Sequence, residues 1–333
     1  MGEPGASGAL ERLSERTGEE FSNLRAAREL AAAKQPDYEA QLAELNHDGD
    51  SSIVLFGSWA RRELTDHSDE DWLILVDGTQ RKVVAPSVDE VELVLGVGER
   101  KPGRQGTFGV QAFCNDIAEK VGLDHDDNTN LTHRVLLMLE SVPLTGHDIH
   151  RACWERILDG YLQEVRRDER PPRFFLNDLV RYWRTICVDF VGKQREADEK
   201  WGTRNAKLRA SRKVLFAGGL LPILQCFRYN RAAMREFLVD QLSAPATDRL
   251  AYAFLEWDIP DPGARFFDAY DRWIGLLNDP EVRAELKAVN STNADDSTAF
   301  REVQGIGRDL DRGLLALLFD TDLEATSRQY GIF

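Results

Sequence analysis

The sequence predicts an α+β protein, with a small unit of short strands and helices near residues 50–115 and a large helical region after it. Two kinds of observation carry this. Apolar runs rich in strand-forming residues stand at Ile53–Phe56, Trp72–Val76 and Thr107–Phe113. From Asn115 onward the apolar spacing is helical nearly to the end. Strands and helices are thus segregated rather than alternating in a long βαβα series. The 333 residues, 42% hydrophobic and 30% charged, suffice for one large or two ordinary globular domains.

Taken in order, residues 8–46 read as helical, with Leu10, Leu13, Phe21, Leu24, Leu30 and Leu42 among Glu, Arg and Ala. Pro36 is expected to separate two helices there. His47-Asp48-Gly49-Asp50 signals a turn. The first strand follows and ends at Gly57-Ser58, then one or two helical turns over 59–64, then the second strand, closed by Asp77-Gly78. Ser87 with Glu90 fits a capping box, which predicts a helix over 88–96. Residues 101–106 read as a loop before the third strand, over 107–113. Helices are expected over 131–141, 148–166, 177–192, 203–217, 230–242 and 298–319. Pro171-Pro172 forms a joint and 290–297 a polar linker. The expected domains are 1–46, helices packed on the α/β unit; 47–145, that unit itself; and 146–333, a helical domain.

Composition excludes several classes. No apolar run approaches the ~18 residues of a membrane span. The first twenty residues lack a basic segment followed by an apolar one, so no secretory signal is expected, and Ala6 breaks a myristoylation pattern. Cys114, Cys153, Cys187 and Cys226 form no CxxC pair, which fits a reduced, cytoplasmic protein. His147 and His150 lack a second ligand pair at zinc-like spacing. The net charge of −15 argues against a bulk nucleic-acid binder, while a local basic groove stays open.

The informative stretch runs from Leu55 to Val76. Asp69 and Asp71 lie two apart at the start of a strand, where side chains alternate, so both point to one face. Such a pair suits a hard cation like Mg²⁺. Gly57-Ser58 stands where a strand runs into a helical turn. Glycine allows close approach to a ligand, free amides and the helix dipole favour phosphate, and the Ser58 hydroxyl adds a donor. A solvated acidic loop is the alternative for Asp69 and Asp71.

This stretch resembles the G-S-x(n)-D-x-D signature of the polymerase-β-like nucleotidyltransferase superfamily, in the form GSxARxExxxxSDxDxLxLV of bacterial minimal and signalling-type members. The resemblance covers about 22 residues. It implies a nucleotidyltransferase palm, a mixed sheet with helices, followed by a large α-helical domain. It implies that Gly57 and Ser58 hold a nucleoside triphosphate and that Asp69 and Asp71 bind two metals, Mg²⁺ or Mn²⁺. Arg61 matches the family's basic residue in the first turn; an ion pair with Glu63 or Asp66 is the other reading. The family has a third carboxylate on a later strand, but Thr107–Phe113 contains no acid. Asp116 is the nearest candidate for this catalytic role, with Asp89 and Glu92 as others, and a helix N-terminal acid is its alternative.

The run LVRYWR at 179–184 is similar to the first substrate-domain helix of poly(A)-polymerase-like and oligonucleotide-synthase-like enzymes. That likeness implies that Arg184 and Lys193 reach the nucleotide, against an ordinary surface helix in which Leu179, Trp183, Ile186 and Phe190 share one face. Residues 201–213 form the most basic patch, with Arg209 facing Arg212 and Lys213 on a helix. It would meet phosphate, an RNA backbone or the protein's own acids. Residues 126–134 read as a polar loop with an N-cap at Asn130, a weaker candidate for base recognition.

The leading expectation is a metal-dependent enzyme that moves a nucleoside monophosphate from a triphosphate to an acceptor hydroxyl and releases pyrophosphate. The acceptor would be a small molecule, a nucleotide, an RNA end or a protein, with no membrane partner. The absent third acid keeps a non-catalytic, antitoxin- or sensor-like nucleotide-binding module as the alternative. A purely structural interaction protein is a third reading.

Overall fold

The computed structural model describes residues 5–45, 49–78, 85–95, 107–119, 121–122, 126–165, 167–196 and 200–331. Its elements, in chain order, are α1 (Ala9–Thr17), α2 (Ser22–Ala43), β1 (Ser51–Leu55), β2 (Trp72–Val76), α3 (Val88–Leu95), β3 (Val110–Phe113), α4 (Cys114–Glu119), α5 (Asn128–Leu139), β4 (Val142–Pro143) and α6 (His147–Gln163). The helical region then runs through α7 (Arg173–Glu196), α8 (Trp201–Arg209), α9 (Ser211–Gln225), α10 (Arg231–Ser243), α11 (Ala246–Glu256), α12 (Pro260–Asn278), α13 (Pro280–Ala288), α14 (Thr298–Phe319) and α15 (Glu324–Tyr330). The architecture is α+β, a small mixed sheet with many helices. The turn expected at 47–48, the loop expected over 101–106 and residue 96 of the helix expected over 88–96 lie outside the described residues.

The chain divides into two compact units. One is Ala27–Arg166; the other joins Met1–Ala26 to Arg167–Phe333. The expected boundaries at 46 and 145 are thus displaced, and the first division falls inside α2. Carboxylates of the later helices contribute to the placement of the first 26 residues. The amide of Leu10 in α1 donates to Asp248 of α11, at 3.2 Å, and the amide of Leu24 in α2 donates to Asp271 of α12, at 2.8 Å. The first amides of a helix have no partner within it, and a carboxylate there satisfies them with charge assistance. Pro36 does not divide α2 as expected. Pro36 and Ala32 are exposed, so water can satisfy the carbonyl that proline leaves without a donor. The division between α1 and α2 comes earlier, at Gly18, whose φ of 72° closes α1 through a bond to Ser14 O.

In the Ala27–Arg166 unit the sheet order is β3-β2-β1-β4. β1 pairs antiparallel with β2, Leu55 opposite Trp72, and antiparallel with β4, Leu55 opposite Val142. β3 runs parallel to β2, Leu73 beside Val110. β4 is two residues long and has no sequence signal of its own. One sheet face packs Ile53, Leu55, Trp72, Ile74 and Val76 against Ala31 and Leu42 of α2 and Val91 and Leu95 of α3. α3 opens with the expected capping box: Ser87 N donates to Glu90 Oε2 at 2.8 Å, and Glu90 N to Ser87 Oγ at 3.3 Å.

The N-cap of α5 is Asp127 rather than Asn130; its side chain accepts from Asn130 N at 2.7 Å. Asp126 is spent on Arg134, which is fully enclosed. The guanidinium donates to both Asp126 oxygens, at 3.0 and 2.8 Å, to Ile117 O and to Tyr161 Oη. This pair joins α4, α5 and α6 and is structural. In the helical unit the expected helix over 203–217 breaks at Ala210, with φ −119° and ψ −89°. Arg209 therefore does not share a helix with Arg212 and Lys213. Arg209 donates to Asn205 Oδ1 and Lys213 to Asp311 Oδ1, both at 2.6 Å, so these two basic residues have partners within the protein.

Two measurements test this packing. Replacing Asp126 leaves the Arg134 charge buried without its carboxylate, so Asp126→Asn should lower unfolding free energy by about 3 kcal/mol in urea titrations. His150 of α6 shares a 2.8 Å hydrogen bond with Ser141, and its pKa is lowered to about 4 by burial first and then by His147 and Arg151. Burial likewise lowers His133. Between pH 6.5 and about 4 the unfolded chain therefore binds protons that folded His150 does not. Stability should be complete above pH 6.5 and fall through this window as pH drops, and His150→Gln should flatten the profile.

Candidate functional site

Antiparallel pairing of β1 and β2 sets the exit of one strand beside the entry of the other. Gly57-Ser58 leaves β1 at the end where Asp69-Glu70-Asp71 enters β2. The ladder extends one step past the strands, through Phe56 N to Asp71 O at 2.8 Å. Fourteen positions apart in sequence, Gly57 and Asp71 are neighbours: a Cβ on Gly57 would lie 3.4 Å from Asp71 Oδ2. Gly57 also has φ of 66°, a conformation that a side chain disfavours.

Residues 59–64 form a tight turn rather than the expected helical turns. Arg61 N bonds Gly57 O at 3.0 Å, Arg62 N bonds Trp59 O at 3.0 Å and Glu63 N bonds Ser58 O at 2.8 Å. Without a helix, no macrodipole acts here. What the turn offers is its leading amides. Among the described residues, none accepts from the amides of Ser58, Trp59 or Ala60, and successive amides of this kind form an anion-binding concavity.

The acids alternate as the strand spacing requires. Asp69 is exposed and Asp71 partly exposed, while Glu70 between them is buried. Glu70 accepts from Tyr38 Oη of α2 at 3.1 Å, and the Tyr38 ring packs on Trp59 at 5.2 Å between centroids. Glu70 is thus turned inward, while Asp71 reaches Gly57 and Asp69 is exposed. Upstream, Ser68 closes the connection, accepting from Thr65 N at 3.0 Å and donating its own amide to Thr65 O. A hard carboxylate at Asp71, next to open amides and with Asp69 two residues away, suits Mg²⁺, which typically takes one or two protein carboxylates and completes its shell with phosphate and water. Among the described residues, no three acids, histidines or cysteines come together as a metal cluster.

The other expected site residues fall elsewhere. Asp116 lies beyond the last residue of β3, and Phe113 is paired with Val76. That is the far end of β2 from Asp71, roughly 17 Å away at ~3.3 Å per residue. Asp116 therefore does not join Asp69 and Asp71. Phe108 precedes β3 across Gly109, whose φ is 70°, and its ring packs on Phe56 at 5.5 Å. Arg61 takes the ion-pair reading: its Nε donates to Glu63 Oε2 at 2.7 Å and its Nη1 to Glu140. Arg184 and Lys193 stand on α7 in the other unit; Arg184 is exposed and Lys193 donates to Asp189 at 2.6 Å. Glu70 and Glu140 were missed by sequence reasoning. A buried acid between two exposed ones is visible only in its alternation, and Glu140 carries no local signal.

No family model, no curated protein and no solved structure matches the chain. No helix among the described residues is long and apolar enough to cross a membrane. If the geometry of the turn matters to ligand binding, Gly57→Val should abolish triphosphate binding in calorimetry. The left-handed φ costs a β-branched residue on the order of 1–2 kcal/mol, and the added bulk falls beside Asp71.

Proposed function

We propose that the chain is a metal-dependent nucleotidyltransferase whose polymerase-β-like palm is the Ala27–Arg166 unit. The observation that carries this reading is the meeting of Gly57 with Asp71 across β1 and β2; Asp69, two residues earlier, is exposed. The amides of Ser58, Trp59 and Ala60 and the Ser58 hydroxyl would bind the triphosphate, and Asp69 and Asp71 would hold Mg²⁺ or Mn²⁺. The metal supplies charge neutralisation on the phosphate oxygens and a lowered pKa for the attacking hydroxyl. The acceptor hydroxyl gives up its proton to solvent, its oxygen forms a bond to the α-phosphorus, the bond to the bridging oxygen breaks, and pyrophosphate leaves. Positioning and charge supply most of such a reaction. The net charge of −15 makes a small or protein acceptor fit better than a long RNA.

A second reading keeps the same pocket without turnover, as a regulatory, antitoxin- or sensor-like nucleotide-binding module. The composition of β3 favours it: Val110–Phe113 carries no acid where a third carboxylate is expected. The two readings separate in one assay of pyrophosphate release with each of the four NTPs and Mg²⁺ or Mn²⁺. The double variant Asp69→Ala/Asp71→Ala should lose at least ~100-fold in rate, because metal stabilisation of several kcal/mol is removed. Equal rates in variant and parent sink the enzyme reading. Metal-dependent binding with no pyrophosphate selects the regulatory one.

A further inference from the structure

The Gly57-Ser58 turn contains more strain and more enclosed charge than a link between two strands requires. Arg62 has φ of 56°, a left-handed conformation that a long side chain adopts only at a cost. Beside it, the Arg61 guanidinium lies between two carboxylates. The side chains of Arg61, Glu63 and Glu140 are only 14%, 2% and 6% exposed. Enclosing three charged groups is a poor route to stability, since apolar residues of similar volume often serve as well or better. What a planar guanidinium held on two sides does provide is fixed geometry.

Glu63 belongs to the turn itself. Glu140 arrives from the α5–β4 junction, 79 positions away. Val142, two residues on, pairs with Leu55, which brings Glu140 to the end of the sheet where Gly57 leaves β1. There Glu140 is the C-cap of α5, with φ −151° and ψ 76°, and its carboxylate is engaged by Arg61.

We propose that Glu140 is a positioning residue for the nucleotide site, which acts through Arg61 to hold the Gly57-Ser58 turn with the amides of Ser58, Trp59 and Ala60 open to phosphate. The inference rests on the nucleotide reading above for its ligand, but the order of the turn is its own observable. Arg61, on this account, shapes the cradle and does not itself bind the triphosphate.

The test uses the full chain and the variants Glu140→Gln, which keeps shape and removes charge, and Glu140→Asp, which keeps charge. Asp126→Asn, at the buried Arg134 pair, is the control for destabilisation alone. Without nucleotide, hydrogen exchange at the amides of residues 61–63, whose bonds to Gly57, Trp59 and Ser58 close the turn, should quicken at least ~10-fold in Glu140→Gln and stay near the parent rate in Asp126→Asn. With each NTP and Mg²⁺ in calorimetry, Glu140→Gln should weaken binding at least ~10-fold while Tm moves by less than ~3 °C. Glu140→Asp should recover most of the affinity, and Asp126→Asn should lower Tm with affinity within about twofold. Unchanged exchange in Glu140→Gln, or a loss of affinity that Asp126→Asn matches, overturns the positioning role. A parent protein that binds no NTP overturns the nucleotide reading instead, and the exchange result still decides whether Glu140 orders the turn.

Discussion

Everything at the candidate site depends on the antiparallel pairing of two five-residue strands. With Leu55 opposite Trp72, the chain that leaves β1 and the chain that enters β2 share one end of the sheet. Parallel pairing would place Gly57 and Asp71 at opposite ends. The pairing is secured by burial, because both strands are enclosed along their whole length. A slip of one residue would turn Ile53, Leu55, Trp72 and Ile74 away from α2 and α3, and it would reverse the sides of Glu70 and the two aspartates. The hydrophobic core and the polar site are therefore specified by one register.

Around that register the polar groups divide into those that hold and those left open. Glu70 is held by Tyr38, and Arg61 by Glu63 and Glu140. Left open are Asp69 and the amides at the start of the turn. Glu70 turns towards the core with α2, while Asp71 reaches the turn at Gly57. A site of this kind places charge in fixed positions before any ligand arrives, which is the condition under which electrostatic stabilisation acts without reorganisation cost. The same division explains why Arg61, basic and close to the turn, has its donors already engaged.

The helical unit is organised by a different device. Asp248 and Asp271 meet the first turns of α1 and α2. They attach the first 26 residues to helices more than 230 positions later in the chain. Each bond joins an unpaired helix amide to a carboxylate, so the attachment is directional where apolar packing is not.

The sequence by itself determined the α+β class, β1 and β2, the capping box of α3 and the grouping of Gly57, Ser58, Asp69 and Asp71 as candidates. These are local properties: apolar runs, alternation over two residues, a cap three residues from its partner. Only the tertiary structure decided the rest. It separated Asp116 from the aspartates, because a parallel β3 carries its C-terminal end away from them. It brought Phe108 onto Phe56 and Glu140 onto Arg61, through contacts whose partners are tens of residues distant. It kept α2 whole across Pro36 and broke the helix at Ala210. The physical reason is common to all of these. Strand partnership, burial and ion pairing depend on what arrives from elsewhere in the chain, and no window of neighbouring residues contains that information.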